Sequence, residues 1–295
     1  MLHATARRVV LFAVVVALFT LVIAGCAKKP MWGDPDTGLI LTYRMHENQA
    51  LTYRYTNDFV QTMDVMGQSM KITGDELHVF TAASMGMKTD NLAFTVTMDS
   101  MSMNIATPQG NMAPDLSAIP GKSFKMVLTP LGEEMEIAGA DTIEYEMAGQ
   151  GKRSIESTFL ALFPDLPAGP VTVGDSWTTT DSIPESSDDG EMLIVLNNTH
   201  TLDGYETMLG MACAKITTNI TGTMSGKGRQ GGMELISEAT IEGSEIWYFA
   251  YEKGIFVESI SGGTAVGTIR DAGGQGLNIP MTREYKMALT LAKMQ

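Results

Sequence analysis

The chain has 295 residues, with 34 acidic against 20 basic side chains, a formal charge of −14, and 44% hydrophobic residues. That length suits one large domain or two lobes. The acidity excludes nucleic acid as a partner, because phosphate binding needs clustered Lys and Arg.

The first predicted element is an export segment. Arg7 and Arg8 precede an apolar run from Val9 to Ala24 that only Thr20 interrupts. A basic start, a short apolar core and small residues before a cut are the marks of a secretory signal. The run falls short of the roughly 18 residues expected of a spanning helix. Ile23, Ala24, Gly25 and Cys26 resemble the bacterial lipobox, in which a cysteine after two small residues is acylated and becomes the mature N-terminus. The resemblance implies a signal peptide over 1–25 and a Cys26 carrying diacylglycerol and a further acyl chain such as palmitate. Two or more chains anchor a protein stably to a membrane where one does not. Ala27 replaces the aspartate that retains such proteins on the inner membrane. It therefore implies the periplasmic face of the outer membrane in a Gram-negative host. The mature chain keeps 18 basic and 34 acidic residues, a formal charge of −16. With Cys26 acylated, Cys213 is left in an apolar strand pattern as a buried, inert thiol, and no intramolecular disulfide can form.

Residues 26–37 read as the acylated cysteine and a tether, 38–163 as an N-terminal β-rich half, and 164–295 as a C-terminal β-rich half. From Ala50 to Met66, Leu51, Tyr53, Tyr55, Phe59, Met63 and Val65 share one face, while Thr52, Arg54, Thr56, Asp58, Thr62 and Asp64 share the other. This alternation predicts a half-buried antiparallel strand. A turn at Gly67-Gln68 leads to a second strand over Met70–Thr81. In the third, Leu92–Ile105, the apolar set changes phase between Met98 and Met101, so a bulge is expected near Ser100. Residues 106–121 read as a loop, and a hairpin follows over Phe124–Leu128 and Met135–Ile137. Ile155, Phe159, Leu162 and Phe163 recur with helical spacing and predict one short helix over Ser154–Phe163, stopped by Pro164. Strands are then expected over 192–201, 212–223, 233–241, 245–250, 255–268 and 281–291. Turns are expected at Leu202-Asp203-Gly204 and Tyr251–Gly254, and hydrophilic loops at 184–191 and 224–232. The fold class is mainly β: one antiparallel curved sheet or half-barrel, or two joined lobes, with little helix.

The phrases FPDLPAGPVTVGDSW (163–177), FKMVLTPLGEEMEIAG and GSEIWYFAYEKGIFVES resemble an uncharacterised family of β-rich bacterial lipoproteins, in which such a seam joins two strand-rich halves. The resemblance implies the fold and brings no activity with it. At the level of fold alone, long strands with one helix are similar to the half-barrels of lipoprotein carriers and lipid shuttles, where a curved sheet holds acyl chains.

No H-E-x-x-H, G-x-S-x-G, P-loop or Cys-x-x-Cys motif occurs, so the expectation is binding and not catalysis, with no cofactor. The chain holds 23 methionines. Thioethers are soft enough to select Cu(I), and they also line adaptable apolar surfaces. Along a strand, Met101 and Met103 share a face, as do Met85 and Met87, whereas Met98 and Met101 do so only if the bulge re-aims one of them. The expected role is a cavity for lipid or acyl chains, with Met63, Phe94, Met98, Met101 and Met103 as candidate lining and no metal site. An assembly subunit of an envelope complex is the alternative, and Met-rich Cu(I) binding the third reading. The expected partners are the membrane, an apolar ligand and an envelope protein.

Overall fold

The computed structural model describes residues 31–147, 151–230, 232–273 and 276–295. Cys26 and the export segment lie outside them. Residues from Met31 form a small hairpin, β1 (Gly33–Asp34) with β2 (Gly38–Leu39), which docks on the seam through the Leu39–Val171 bridge. Four long or short strands follow: β3 (Ala50–Val65), β4 (Gln68–Lys88), β5 (Asn91–Thr107) and β6 (Gly110–Met112). Next come β7 (Ser123–Leu128), β8 (Glu134–Ala138), and a separate hairpin of β9 (Glu144–Met147) and β10 (Gly151–Ser154). Helix α1 is Glu156–Phe159, and the second half holds β11 (Ser176–Ser187), β12 (Gly190–Met208) and β13 (Met211–Gln230). It ends with β14 (Met233–Ala250), β15 (Ile255–Asp271) and β16 (Asn278–Met294).

The main sheet runs β11-β12-β13-β14-β15-β16-β3-β4-β5-β7-β8, with β6 beside β5. The two halves are therefore one continuous antiparallel sheet, joined where the last strand pairs with β3. The sheet curls into an open half-barrel. Glu185 on β11 and Arg283 on β16 sense each other's charge, although five strand spacings of a flat sheet would separate them by about 24 Å. The β9–β10 hairpin leans on the tip of β11 across the open side, where the Lys152 N–H donates to Asp188 (3.4 Å).

Inward glycines allow this curvature. A Cβ on Gly74 would lie 2.2 Å from the Phe59 ring, and one on Gly263 would lie 2.5 Å from the Tyr285 hydroxyl. In both cases an aromatic ring covers a glycine on the neighbouring strand, a device of strongly bent sheets. Three two-residue hairpin turns have positive φ at both positions: Met66-Gly67, Thr89-Asp90 and Leu209-Gly210. This geometry matches the right-handed twist of the flanking strands.

Several expectations change. The helix keeps only Glu156–Phe159, because Leu160 is extended and Ala161 takes φ 58. Phe163 leaves the helical register and packs edge-on against Tyr43, Tyr53 and Phe256. The hydrophilic stretches 184–191 and 224–232 are mostly strand, with β11 reaching Ser187 and β13 reaching Gln230. Gly226 and Gly228 turn inward there, so a polar composition conceals an inner face made of small residues. Leu202-Asp203-Gly204 is a bulge within β12 and not a turn. The bulge expected near Ser100 is present, since Val79 pairs with Ser100 while Phe80 pairs with Met98.

Candidate functional site

Strand register sorts the inner face into three tiers. At the base, nearest β2 and the seam, the interior is filled. Tyr53, Phe80, Phe159, Trp247, Phe249 and Phe256 are all essentially buried there, with Phe159 edge-on to Phe80 and Phe124. A gap between Tyr43, Tyr53, Phe94, Met126 and Phe163 measures about 20 Å³, enough for about one water. Small-molecule sites run to about 300–1,000 Å³, so this gap is too small for an acyl chain.

Above the base lies a polar belt. His78 Nε2 is 2.7 Å from Glu76 Oε1, and the Asn57 amide donates to the other carboxylate oxygen (3.3 Å). Burial alone would raise the Glu76 pKa, but the His78 ring, the Asn57 amide and Arg283 outweigh it and hold the carboxyl below its usual range. On the opposite wall, His200 lies between the Thr179 hydroxyl at Nε2 (3.0 Å) and the Thr218 hydroxyl at Nδ1 (2.7 Å), stacked on Trp177. Burial pulls its pKa down to about 4 and keeps the ring neutral. The Trp247 indole N–H donates to Thr218 (2.9 Å), and the Asn198 amide donates to Asp181 (2.6 Å). Burial also pushes Glu134 up to about 8, Glu245 to about 7 and Asp165 to about 6, with Asp181 adding repulsion to each.

Towards the hairpin tips the inner face becomes apolar again. One row crosses eight strands: Ile183 pairs with Ile194, Ile194 with Met224, and Met224 with Ala239. Beyond Gly267 it continues through Met281, Met63 and Met70. Ala239 and Met281 are buried, while Ile183, Ile194, Met224, Met63 and Met70 are only half-buried. Ala239, Met281, Met63, Ile194 and Met224 belong to a core cluster separate from the base, and Ile183 and Met70 extend the row at either end. The result is an apolar collar at the mouth, a polar belt beneath it and a packed aromatic floor.

The five candidate residues divide between these tiers. Phe94 and Met98 lie in the base core and Met101 stands over it, opposite His78, all three buried. The bulge brings Met98, Met101 and Met103 onto one face. Met103 stands half-buried beside Glu76 in the belt, and Met63 belongs to the collar. Four of the eight positions in this row are thioethers: Met224, and Met281, Met63 and Met70 on three neighbouring strands. Among the described residues no group of three His, Cys, Asp or Glu side chains is arranged to hold a metal. Cys213 is buried in the base, and burial raises its thiol to about 11.

Sequence reading missed the belt. Its signal was a charge on the apolar phase of a strand: Glu76 and His78 alternate with Ile72 and Phe80, Arg283 with Met281 and Met287, and Glu245 with Ile241 and Trp247. No family model matches the chain, and no curated protein matches it. Among solved structures, it is similar to a Bacteroides fragilis protein presented as exported with a YmcC-like fold. Identity is 9%, with coverage of 86% of this chain and 99% of that one and a TM-score of 0.27. A Parabacteroides distasonis protein presented as a lipoprotein is 9% identical, covering 86% and 97%, with a TM-score of 0.28. An outer-membrane channel of Pseudomonas putida is 6% identical, covering 87% and 98%, with a TM-score of 0.28.

Proposed function

We propose that this is a lipid-anchored protein of the cell envelope whose half-barrel holds the apolar part of a lipid or acylated ligand without chemistry. The observation that carries the reading is the collar: a continuous apolar row on the concave face, five of whose side chains are only half-buried. Each ligand methylene buried against it gains about 0.8 kcal/mol, and thioether side chains adapt to chains of different shape. The lipobox supplies the envelope location and the anchor at Cys26. The chain enters the domain at the base, beside β2, so the mouth points away from the tether.

The test uses an environment-sensitive fluorescent fatty acid. Wild-type protein enhances its emission, and the Met63→Asp/Ile194→Asp double variant, with charges set into the collar, loses that enhancement while keeping its unfolding midpoint within a few degrees. Equal emission from both proteins would remove the collar from the account.

A second reading, an assembly subunit, draws on the outer wall. Ile246 and Ile260 are directly paired there and are 41% and 60% exposed. The Ile246→Ser/Ile260→Ser variant would then lose an envelope partner in a cross-linked pull-down and retain the fatty-acid signal.

A further inference from the structure

Arg283 is an unusual side chain for this interior. It sits on the inner face of β16, two residues below Met281 of the collar, paired with Ala265 on one side and Gln61 on the other. It is half-buried, and among the described residues it makes no ion pair, although the protein has 34 acidic side chains. Its guanidinium lies over the Phe59 ring, 4.1 Å from the centroid. Phe59 is itself pressed onto Gly74, where a Cβ would come within 2.2 Å of the ring. The cation is thus held by its flat face, and among the described residues its N–H groups make no hydrogen bond or ion pair.

We propose that Arg283 is the headgroup anchor of the cleft and takes the carboxylate or phosphate of a single-chain amphiphile whose chain lies along the collar towards the mouth. This rests on the cleft reading given above. A planar guanidinium binds such oxyanions through two parallel hydrogen bonds, which an ammonium cannot reproduce, and a partly dry cleft strengthens the contact. The nearby carboxylate of Glu76 is already engaged by His78 and Asn57. Glu185 lies nearer the mouth, across the cleft on β11, and Arg153 adds a second positive charge to the same cluster. From Arg283 to Asn278, where β16 ends at the mouth, the strand spans about 17 Å, room for an extended chain along the collar.

The experiment uses the full chain in membrane vesicles and four photoreactive C16 probes that differ only in headgroup: carboxylate, monophosphate, alcohol and amine. Cross-linked peptides are mapped by mass spectrometry. The expected result is inner-face labelling by the carboxylate or phosphate probe roughly tenfold above the alcohol, a preference that Arg283→Met abolishes and Arg283→Lys restores only in part. The stronger of the two anionic probes names the headgroup. Should Arg283→Met fail to fold, Phe59→Leu, which frees the guanidinium from its ring, is expected to reduce the same preference. Equal labelling by acid and alcohol, or a preference for the amine, overturns the anchor and leaves the apolar cleft standing. Absence of inner-face labelling by every probe overturns the cleft as well.

Discussion

Glu134, Glu245 and Asp165 hold their protons more tightly in the folded chain, to about 8, about 7 and about 6, with burial the main cause in each. A carboxyl whose pKa rises on folding favours the folded state while protonated. That advantage is lost as pH climbs from the unfolded value through the folded one. His200 acts on the acid side: its folded value of about 4 lies below the ordinary 6.5, so it costs stability as pH falls below 6.5. Between pH 6.5 and 8.5 the carboxyls decide the slope, and the melting temperature is expected to fall across that range. Glu134→Gln removes the largest of these contributions, so the variant should melt higher than wild type at pH 8.5 and nearly the same at pH 5. A variant equally shifted at both pH values would mean that Glu134 acts through packing and not through its charge. At this scale the sequence was only half legible. Alternation assigned Tyr53, Phe94 and Met98 to an apolar face, but which of 34 carboxylates converge depends on register between strands far apart in the chain. The mark left in the sequence is a charged residue in an apolar phase, as at Arg283.

Among the elements, turns and glycines set the curvature. Thr89 and Asp90 both adopt positive φ, 50° and 68°, a conformation that disfavours β-branched residues and suits Asn-Gly. The Thr89→Asn/Asp90→Gly variant should therefore gain about 1 kcal/mol, read from the urea midpoint at unchanged slope. Gly263→Ala should do the opposite. Its Cβ would meet the Tyr285 hydroxyl at 2.5 Å and the Glu242 carbonyl at 2.4 Å, a clash worth about 1–3 kcal/mol. The Ser100 bulge was readable because the apolar set changes phase between Met98 and Met101. The strands through 184–187 and 224–230 were not, because Ser, Gly and Asp read as loop when no apolar partner marks the inner face. The short helix was half readable. Its apolar spacing was real, but Phe159 serves the helix while Phe163 serves the base through an extended seam.

For the whole molecule, the pairing of β16 with β3 makes the two strand-rich halves one cooperative body. Urea unfolding should be a single transition by both tryptophan fluorescence and far-ultraviolet dichroism, whereas two separable transitions would restore the picture of joined lobes. Cutting the chain before Asn278 should abolish folding, since that removes the strand at the centre of the sheet. The same closure produces the order of tiers, with an aromatic floor beside β2, a charged belt, and an apolar collar at the mouth on the opposite end. The measurement that tests this arrangement most directly is native mass spectrometry of the full chain purified from its host. A reproducible added mass of a fatty acid or phospholipid, lost in the Met63→Asp/Ile194→Asp variant, is the predicted result. A bare chain in every preparation, or an adduct that persists in that variant, would contradict the account.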